Sequence, residues 1–310
     1  MNALFGRVGV VAIAAASLLN SIDLAFAEES KSDGLVMVVM DPLAAQLACP
    51  CVKGYAQRDY KKLAVHLETV LGRPVKIVFD ESLEAAVERG EAGGAEIVIG
   101  KQSVVEHDAR AAKLTLQPVA ALSDLQGATT QTGLFVVEKG AAAQSLRELA
   151  GYHILFGPKY CDEKHLAAIE SLKANGVTLP EELATCNSCS DGAEQLVEAG
   201  PQKKMAAVIS SYAKPLLEGC GTIKKGDLRV VGETEPVPFI QAYVSGKLSE
   251  QDRKAITESL LEVKDDPLLC KAIESRAGFV TLDPDSSEAP VAKVSKKNYA
   301  KRRRPLTTNR

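Results

Sequence analysis

The 310-residue sequence lacks tryptophan, has only 5% aromatic residues and contains four histidines. It has no Gly-x-Ser-x-Gly elbow, P-loop, His-Glu-x-x-His or Gly-x-Gly-x-x-Gly segment, and these absences disfavour a hydrolase or a nucleotide enzyme. Hydrophobic residues make up 46% of the chain and charged residues 25%, which excludes collagen-like, coiled-coil and wholly disordered chains. The composition is typical of an ordinary globular protein.

Basic residues are scarce in most of the chain and concentrated at its end. Residues 291–310 hold eight basic residues and no acidic one, while the remainder has 29 basic against 40 acidic residues, a net charge of −11. An acidic body disfavours binding to nucleic acid or to anionic membranes. We therefore expect no nucleic-acid partner and predict a disordered basic tail at residues 284–310.

No apolar run approaches the ~20 residues that span a bilayer, so we expect a protein that does not span the membrane. One shorter run, residues 8–19, follows Arg7 and precedes an Ala-Phe-Ala motif that ends at Ala27. A basic residue, a short apolar run and a small-x-small motif are typical of a secretory signal peptide. The sequence predicts a signal peptide at residues 1–27, cleaved after Ala27, and a periplasmic or otherwise extracytoplasmic location.

Apolar periodicity alternates between strand and helix along the chain. Strands are predicted at residues 35–40, 75–79, 96–99, 133–137, 152–156, 205–210, 228–231 and 239–244. Helices are predicted at residues 59–71, 82–89, 103–112, 145–150, 162–175, 192–199, 249–264 and 267–277. Capping boxes pair Ser145 with Glu148 and Ser249 with Asp252. The alternation predicts an α/β protein, and the restart of the pattern near residue 133 predicts a second unit.

Several segments resemble one transport family. Residues 60–75 (YKKLAVHLETVLGRPV) are similar to the first helix and second strand of the phosphate, phosphite and phosphonate substrate-binding proteins of ABC importers. Residues 133–139 (GLFVVEK), 145–151 (SLRELAG) and 154–157 (ILFG) resemble the start of that family's second lobe. Residues 227–231 (DLRVV), 235–239 (EPVPF), 265–267 (DDP) and 278–279 (GF) resemble the segments with which the family's chain returns to its first lobe and ends. The resemblance extends over nearly the whole chain after the predicted signal peptide.

The resemblance implies a two-lobed fold of the type II periplasmic-binding-protein class, α/β with mixed, mostly parallel sheets and a ligand cleft between the lobes. Lobe 1 would comprise residues 33–122 and 239–283, and lobe 2 residues 123–238. It further implies that the protein is not an enzyme and captures a phosphonate- or phosphate-like oxyanion for the membrane permease of an ABC importer. Hinge closure on the ligand and a monomeric state are expected.

The cleft residues depart from the family pattern. The family carries Ser and Thr hydroxyls at a helix N-terminus where this chain has residues 157–162 (GPKYCD), and a Gly-Ser-His-Asp-like turn corresponds here to residues 188–191 (SCSD). Lys159 and a helix N-terminus at Asp162 would still attract an oxyanion. The residues expected to contact the ligand are Tyr55, Lys159, Tyr160, Cys161, Ser188, Ser190 and Tyr212.

Seven cysteines leave three alternatives open. A thiophilic metal, Cu or Zn, would use Cys49, Cys51, Cys161, His165, Cys186 and Cys189. Structural disulfides, for example among Cys161, Cys186, Cys189 and Cys220, are expected in an oxidising compartment. A nucleophilic Cys161 with His165 as its base is the enzymatic alternative.

Two further expectations concern the cysteines and the role of the fold. Cys270, on the apolar face of the last predicted helix, is expected to be a buried free thiol. Apart from Cu or Zn, no cofactor is expected. An accessory or sensor protein that uses the same fold without a transporter stays a second functional alternative.

Overall fold

The structure of the protein is a computed structural model that describes residues 34–48, 57–88 and 94–282. The predicted signal peptide and the predicted basic tail lie outside the described residues. Three predicted site residues also fall there: Cys49, Cys51 and Tyr55. Within the described part of the chain, no helix is long and apolar enough to cross a membrane.

Strands and helices alternate along the chain. The first half forms β1 (Leu35–Met40), α1 (Tyr60–Leu71), β2 (Val75–Phe79), α2 (Leu83–Glu88), β3 (Ile97–Lys101), α3 (Gln102–Ala111), β4 (Leu116–Leu122), β5 (Thr130–Gln131), β6 (Gly133–Glu138) and β7 (His153–Leu155). The second half forms α4 (Leu166–Ala174), α5 (Cys189–Ala199), β8 (Met205–Ser210), α6 (Ala213–Gly219), β9 (Leu228–Glu233), β10 (Val237–Pro238), β11 (Ile240–Ser245), α7 (Glu250–Glu262), α8 (Pro267–Ala272) and β12 (Phe279–Val280).

The strands form two main sheets. One has six strands in the order β12-β4-β11-β3-β1-β2, and the other has four in the order β7-β8-β6-β9. We call the first sheet with α1–α3, α7 and α8 lobe 1, and the second sheet with α4–α6 lobe 2. Each sheet is covered by apolar clusters on both faces. The short ribbon of β5 and β10 pairs the two segments that run between the lobes.

Both sheets are mixed, as predicted, but the expectation of mostly parallel strands was wrong. Among the strand pairs of the described residues, only β1–β2, β1–β3 and β7–β8 are parallel. The other six pairings are antiparallel. The reason is the route of the chain, because β11 returns from lobe 2 and enters the lobe 1 sheet between β3 and β4 in the opposite direction to both.

Local sequence explains most elements. β1 is buried at five of its six positions, as its continuous apolar run predicts for a strand covered on both faces. Helix α1 ends at Gly72, whose φ of 63° lies in the left-handed region that glycine adopts without strain. Helix α7 begins at Ser249, whose hydroxyl accepts a hydrogen bond from Asp252 N–H as the predicted capping box requires.

Three predicted helices differ in the structure, and the last of them, predicted over residues 267–277, ends at Ala272. In place of one helix over residues 162–175, a three-residue 3-10 turn, Asp162–Lys164, precedes α4. The interruption arises because the Lys164 carbonyl accepts a hydrogen bond from Gly157 N–H outside the helix. Residues 145–150 form a short 3-10 turn without a full capping box, since Ser145 makes no side-chain cap and Glu148 instead accepts from Gln144 N–H.

The two-residue strands β5, β10 and β12 were not predicted. Two longer elements, β4 and α6, were also not predicted, and each contains a proline that masks its pattern. Pro118 lies in β4 opposite the irregularity between Ala242 and Tyr243 of β11, where a strand tolerates a missing N–H. Pro215 lies in the first turn of α6, where backbone N–H groups have no intrahelical acceptor in any case.

Candidate functional site

A cavity of about 370 Å³ lies between the two lobes. Lobe 1 contributes residues at or after the ends of β1, β2 and β3. Lobe 2 contributes the segment before α4, the start of α5, and residues before, within and after α6. The lobe 1 lining is Met40, Pro42, Leu47, Ala48, Glu81, Lys101 and Val104. The lobe 2 lining is Pro158, Tyr160, Cys161, Lys164, Asn187, Ser188, Cys189, Ser190, Tyr212, Ala213, Leu216, Leu217, Cys220 and Thr222.

A buried ion pair joins the lobes at the wall of the cavity. The Nζ of Lys101, at the end of β3, lies 2.7 Å from Oε1 and 2.6 Å from Oε2 of Glu163 in lobe 2. The Ser210 hydroxyl at the end of β8 also donates to Glu163 Oε1 over 2.6 Å. The Glu163 backbone packs so closely against β6 that a side chain at Gly133 would collide with its carbonyl oxygen. The glycine therefore helps to place this carboxylate at the lobe interface.

Glu163 stays ionised despite complete burial. Burial alone would raise the pKa of its carboxyl group, but the charge of Lys101 and the hydrogen bonds from Lys101 and Ser210 outweigh that penalty. The pKa is consequently held below its ordinary value. Because the charge of Lys101 is balanced by the carboxylate of Glu163, this lysine offers little net charge to an incoming anion.

Lys164 is the contrasting cation of the cavity. It is only 7% exposed, yet no carboxylate among the described residues forms an ion pair with it. Its ammonium group donates a long hydrogen bond to Cys189 Sγ at 3.8 Å. Burial lowers the pKa of Lys164, but Cys189, Cys161 and Glu163 outweigh that effect and raise the pKa above its ordinary value. Lys164 therefore carries a positive charge at neutral pH.

The N-terminus of α5 faces the same space. Ser188 accepts a hydrogen bond from Asp191 N–H at 3.0 Å, and the first intrahelical donor is Gly192 N–H, which bonds to the Ser188 carbonyl. The N–H groups of Cys189 and Ser190 therefore precede the intrahelical hydrogen-bond ladder, and both residues line the cavity. A helix N-terminus beside a buried ammonium group is suited to an anion.

The lobe 1 side rests on a second buried network. Asp41, directly after β1, accepts hydrogen bonds from Arg58 over 2.7 Å and from the Tyr60 hydroxyl over 2.5 Å. The Arg58 guanidinium also lies 5.7 Å from the ring centroid of Phe239, and Phe239 stacks on Tyr212 of lobe 2 at 5.3 Å. These contacts fix Asp41, which begins the segment that carries Leu47 and Ala48 to the cavity.

Five of the predicted ligand contacts, together with Cys189, lie together in the structure. Those at the cavity are Tyr160, Cys161, Ser188, Ser190 and Tyr212. Tyr160 stacks on His107 of α3, with ring centroids 5.0 Å apart. Lys159 is exposed and lies outside the cavity lining, and Asp162 begins a three-residue turn that is too short to serve as a helix N-terminal site.

The described cysteines are not paired with one another. All five are free thiols, namely Cys161, Cys186, Cys189, Cys220 and Cys270, so the structure has none of the disulfides considered among them. Within residues 34–48, 57–88 and 94–282, no three His, Cys, Asp or Glu side chains are grouped to hold a metal ion. Cys270 is buried, as predicted.

Cys161 is also poorly suited to be a nucleophile. Burial raises the pKa of the Cys161 thiol, with Lys101 opposing this effect less strongly. His165 directs Nδ1 to the Gly157 carbonyl at 2.9 Å and lies outside the cavity lining. The arrangement thus lacks the activated thiol that the enzymatic alternative requires.

Sequence reasoning missed Lys101, Glu163 and Lys164. Lys101 had a usable signal, because it follows an apolar strand and ligands of α/β proteins bind beyond the carboxyl ends of strands. Glu163 and Lys164 had none, since acidic residues and lysines are almost never fully buried and sequence does not show which exceptions find a partner.

Comparison with known proteins agrees with this architecture. The family model described as "ABC transporter, phosphonate, periplasmic substrate-binding protein" matches residues 54–287. No curated protein sequence matches the chain.

Solved structures share the fold at low sequence identity. A binding protein component of an ABC phosphonate transporter from Pseudomonas aeruginosa aligns with a TM-score of 0.61 and 15% identity, covering 82% of this chain and 83% of its own. PhnD1 from Prochlorococcus marinus, in complex with methylphosphonate, aligns with a TM-score of 0.60 and 13% identity, covering 82% and 94%. A Xanthomonas citri protein bound to chloride ion has a TM-score of 0.59 and 18% identity, covering 82% and 93%.

The structural neighbours establish the predicted type II periplasmic-binding-protein fold, and the family model spans most of the chain. Together with the two lobes and the cavity between them, these findings lead to one conclusion: the chain belongs to the family of periplasmic substrate-binding proteins of phosphonate ABC transporters.

Proposed function

We propose that the cavity between the lobes binds a phosphonate-like oxyanion and that the protein delivers it to the permease of an ABC importer. The observation that carries this proposal is Lys164, a buried ammonium group with no carboxylate partner among the described residues, placed beside the N-terminus of α5. Family membership supports the same ligand class. The methylphosphonate complex of the Prochlorococcus marinus protein supplies a probe.

The test measures methylphosphonate binding by calorimetry in wild type, Lys164→Met and Lys159→Met. Charge-assisted hydrogen bonds contribute about 1.5–3 kcal/mol, so Lys164→Met should lose roughly 10- to 100-fold in affinity. Lys159→Met is the matched control, because this lysine is five residues away and outside the cavity lining. Equal affinity in the two variants, or a larger loss in Lys159→Met, would contradict the proposal.

We also propose that the protein reaches the periplasm through the predicted signal peptide at residues 1–27. The extracytoplasmic location follows from the family. The mass of the protein recovered from the exported fraction tests the cleavage site. A mature N-terminus at Glu28 supports cleavage after Ala27, and a mass that retains residues 1–27 contradicts it.

Hinge closure is proposed as the binding mechanism. The lobes meet through Lys101–Glu163, His107–Tyr160 and Phe239–Tyr212, so opening the cavity would break contacts that closure on the ligand restores. Small-angle scattering with and without methylphosphonate measures the change. An unchanged radius of gyration at saturating ligand would argue against closure.

We further propose a monomer that acts in transport, performs no catalysis and needs no resident cofactor. The raised pKa of the buried Cys161 thiol supports the absence of thiol catalysis. Native mass spectrometry without chelator tests the remaining points. A dimer mass, or a bound Cu or Zn ion, would overturn the corresponding statement.

A further inference from the structure

The cavity lining has two chemically different parts. One part, which we call the lobe 2 end, offers Lys164 with the N–H groups of Cys189 and Ser190. The other part, which we call the apolar wall, includes side chains from both lobes: Met40, Pro42, Leu47, Val104 and Leu216. Among the described residues, the lobe 1 side has little positive charge to offer, because Lys101 is paired with Glu163 and Glu81 at the lining is itself acidic. An anionic group is therefore directed to the lobe 2 end.

The apolar wall draws on both lobes. Leu47 of lobe 1 and Leu216 of lobe 2 both pack against the same apolar cluster of lobe 1, and Tyr212 stacks on Phe239 beside them. Leu216 and Leu47 are only partly buried, so part of their surface faces the cavity. If the ligand were a bare oxyanion at the lobe 2 end, this apolar surface would stay exposed to water.

The volume of the cavity also favours a ligand larger than a bare oxyanion. At ~30 Å³ for each water-sized group, about 370 Å³ holds roughly a dozen such groups, well beyond an inorganic phosphate or methylphosphonate ion. Pockets for small organic molecules begin near ~300 Å³ and are mostly apolar, with a few placed polar groups. The dimensions and the lining of the cavity therefore suit an anion that carries a sizeable apolar group.

We propose that the ligand is an organic phosphonate whose hydrocarbon substituent lies against the wall formed by Met40, Leu47, Val104 and Leu216 while its anionic head contacts Lys164. This inference rests on the proposed oxyanion function and adds a selectivity to it. Inorganic phosphate and methylphosphonate are then weak ligands, and affinity rises with the length of the substituent.

The experiment is a calorimetric series with the mature protein: inorganic phosphate, then methyl-, ethyl-, propyl-, butyl- and phenylphosphonate. Burial of one methylene group should raise the affinity roughly fourfold, so butylphosphonate should bind tens of times more tightly than methylphosphonate. Equal affinities along the series, or tightest binding of inorganic phosphate, would overturn the apolar selectivity and leave the oxyanion function standing. Failure of every member to bind would overturn both.

Two variants locate the selectivity in the wall. Leu216→Asn should reduce butylphosphonate binding more than methylphosphonate binding, because only the longer substituent reaches the apolar surface. Leu268→Ala is the matched control, since Leu268 is exposed and lies outside the cavity lining. A steep series that Leu216→Asn leaves unchanged would contradict the proposed position of the substituent.

Discussion

Lobe 1 and lobe 2 present their charges to the same cavity in different states. In lobe 1, Asp41 is satisfied by Arg58 and Tyr60, and Lys101 is satisfied by Glu163. In lobe 2, Lys164 is almost as buried, but among the described residues it forms no ion pair and donates a long hydrogen bond to a thiol. The comparison shows that the buried charges of lobe 1 are balanced by protein partners, whereas lobe 2 retains a positive charge that a ligand can balance.

The largest expected loss of stability comes from removing the carboxylate at the centre of the lobe 1 network. Asp41→Asn leaves the Arg58 guanidinium without its carboxylate, and loss of one partner of a buried ion pair costs about 3–5 kcal/mol. Urea unfolding followed by circular dichroism measures the change. Asp59→Asn is the control, because Asp59 lies 4.0 Å from exposed Lys62 and should change stability by less than about 1 kcal/mol. Similar losses in both variants would contradict the assignment.

A smaller loss is expected at the contact between the lobes. Glu163→Gln leaves Lys101 without a counter-charge, but Lys101 lines the cavity, where water can solvate its ammonium group, so we expect about 1–3 kcal/mol of lost stability. The double variant Lys101→Met/Glu163→Gln removes the orphaned charge and should recover part of the loss. Full stability of the single variant would show that the ion pair adds nothing to the folded state.

The pH dependence sharpens the same point. Because the pKa of Glu163 is lowered by folding, its contribution is present above the ordinary value of 4.5 and is lost as the pH falls through the lowered folded value. Below about pH 4.5, wild type should lose stability more steeply than Glu163→Gln, by roughly 1.4 kcal/mol for each unit of lowering. Urea unfolding from neutral to acid pH measures both slopes. Parallel curves would contradict a lowered pKa.

The smallest expected effect separates structure from binding. Ser249 in lobe 1 and Ser188 in lobe 2 each accept a hydrogen bond at 3.0 Å from the N–H three residues later. Either serine-to-alanine variant should cost about 1 kcal/mol of stability. Only Ser188→Ala should also weaken methylphosphonate binding, because Ser188 lines the cavity. Equal binding by the two variants would place Ser188 outside the ligand contacts.

Much of the fold was accessible from the sequence because it follows from local patterns. β1, α1 and β8 were predicted closely by apolar periodicity, and the cap at Ser249 followed from the spacing to Asp252. β4 and α6 escaped because proline lowers the local preference for strand and helix while tertiary contacts still favour them.

The candidate site was harder to predict from the sequence than the fold was. Tyr160, Cys161, Ser188, Ser190 and Tyr212 were found through the family resemblance and lie at the cavity. The sequence predicted a contact from Lys159, whereas the lysine that lines the cavity is Lys164. Both belong to the same short segment, and no pattern of residue types shows which one is buried, because a 3-10 turn, Asp162–Lys164, stands where a continuous helix was predicted.

The sequence by itself determined the alternating elements, the two units and the family, because these depend on hydrophobic period, caps and turns that act over a few residues. Only the tertiary structure decided the direction of β11, the burial of Glu163 against Lys101 and the open charge of Lys164. Each of these depends on residues more than sixty positions apart or on a turn whose geometry is fixed by packing, and the free energy of a buried charge is set by the partners that the fold brings to it.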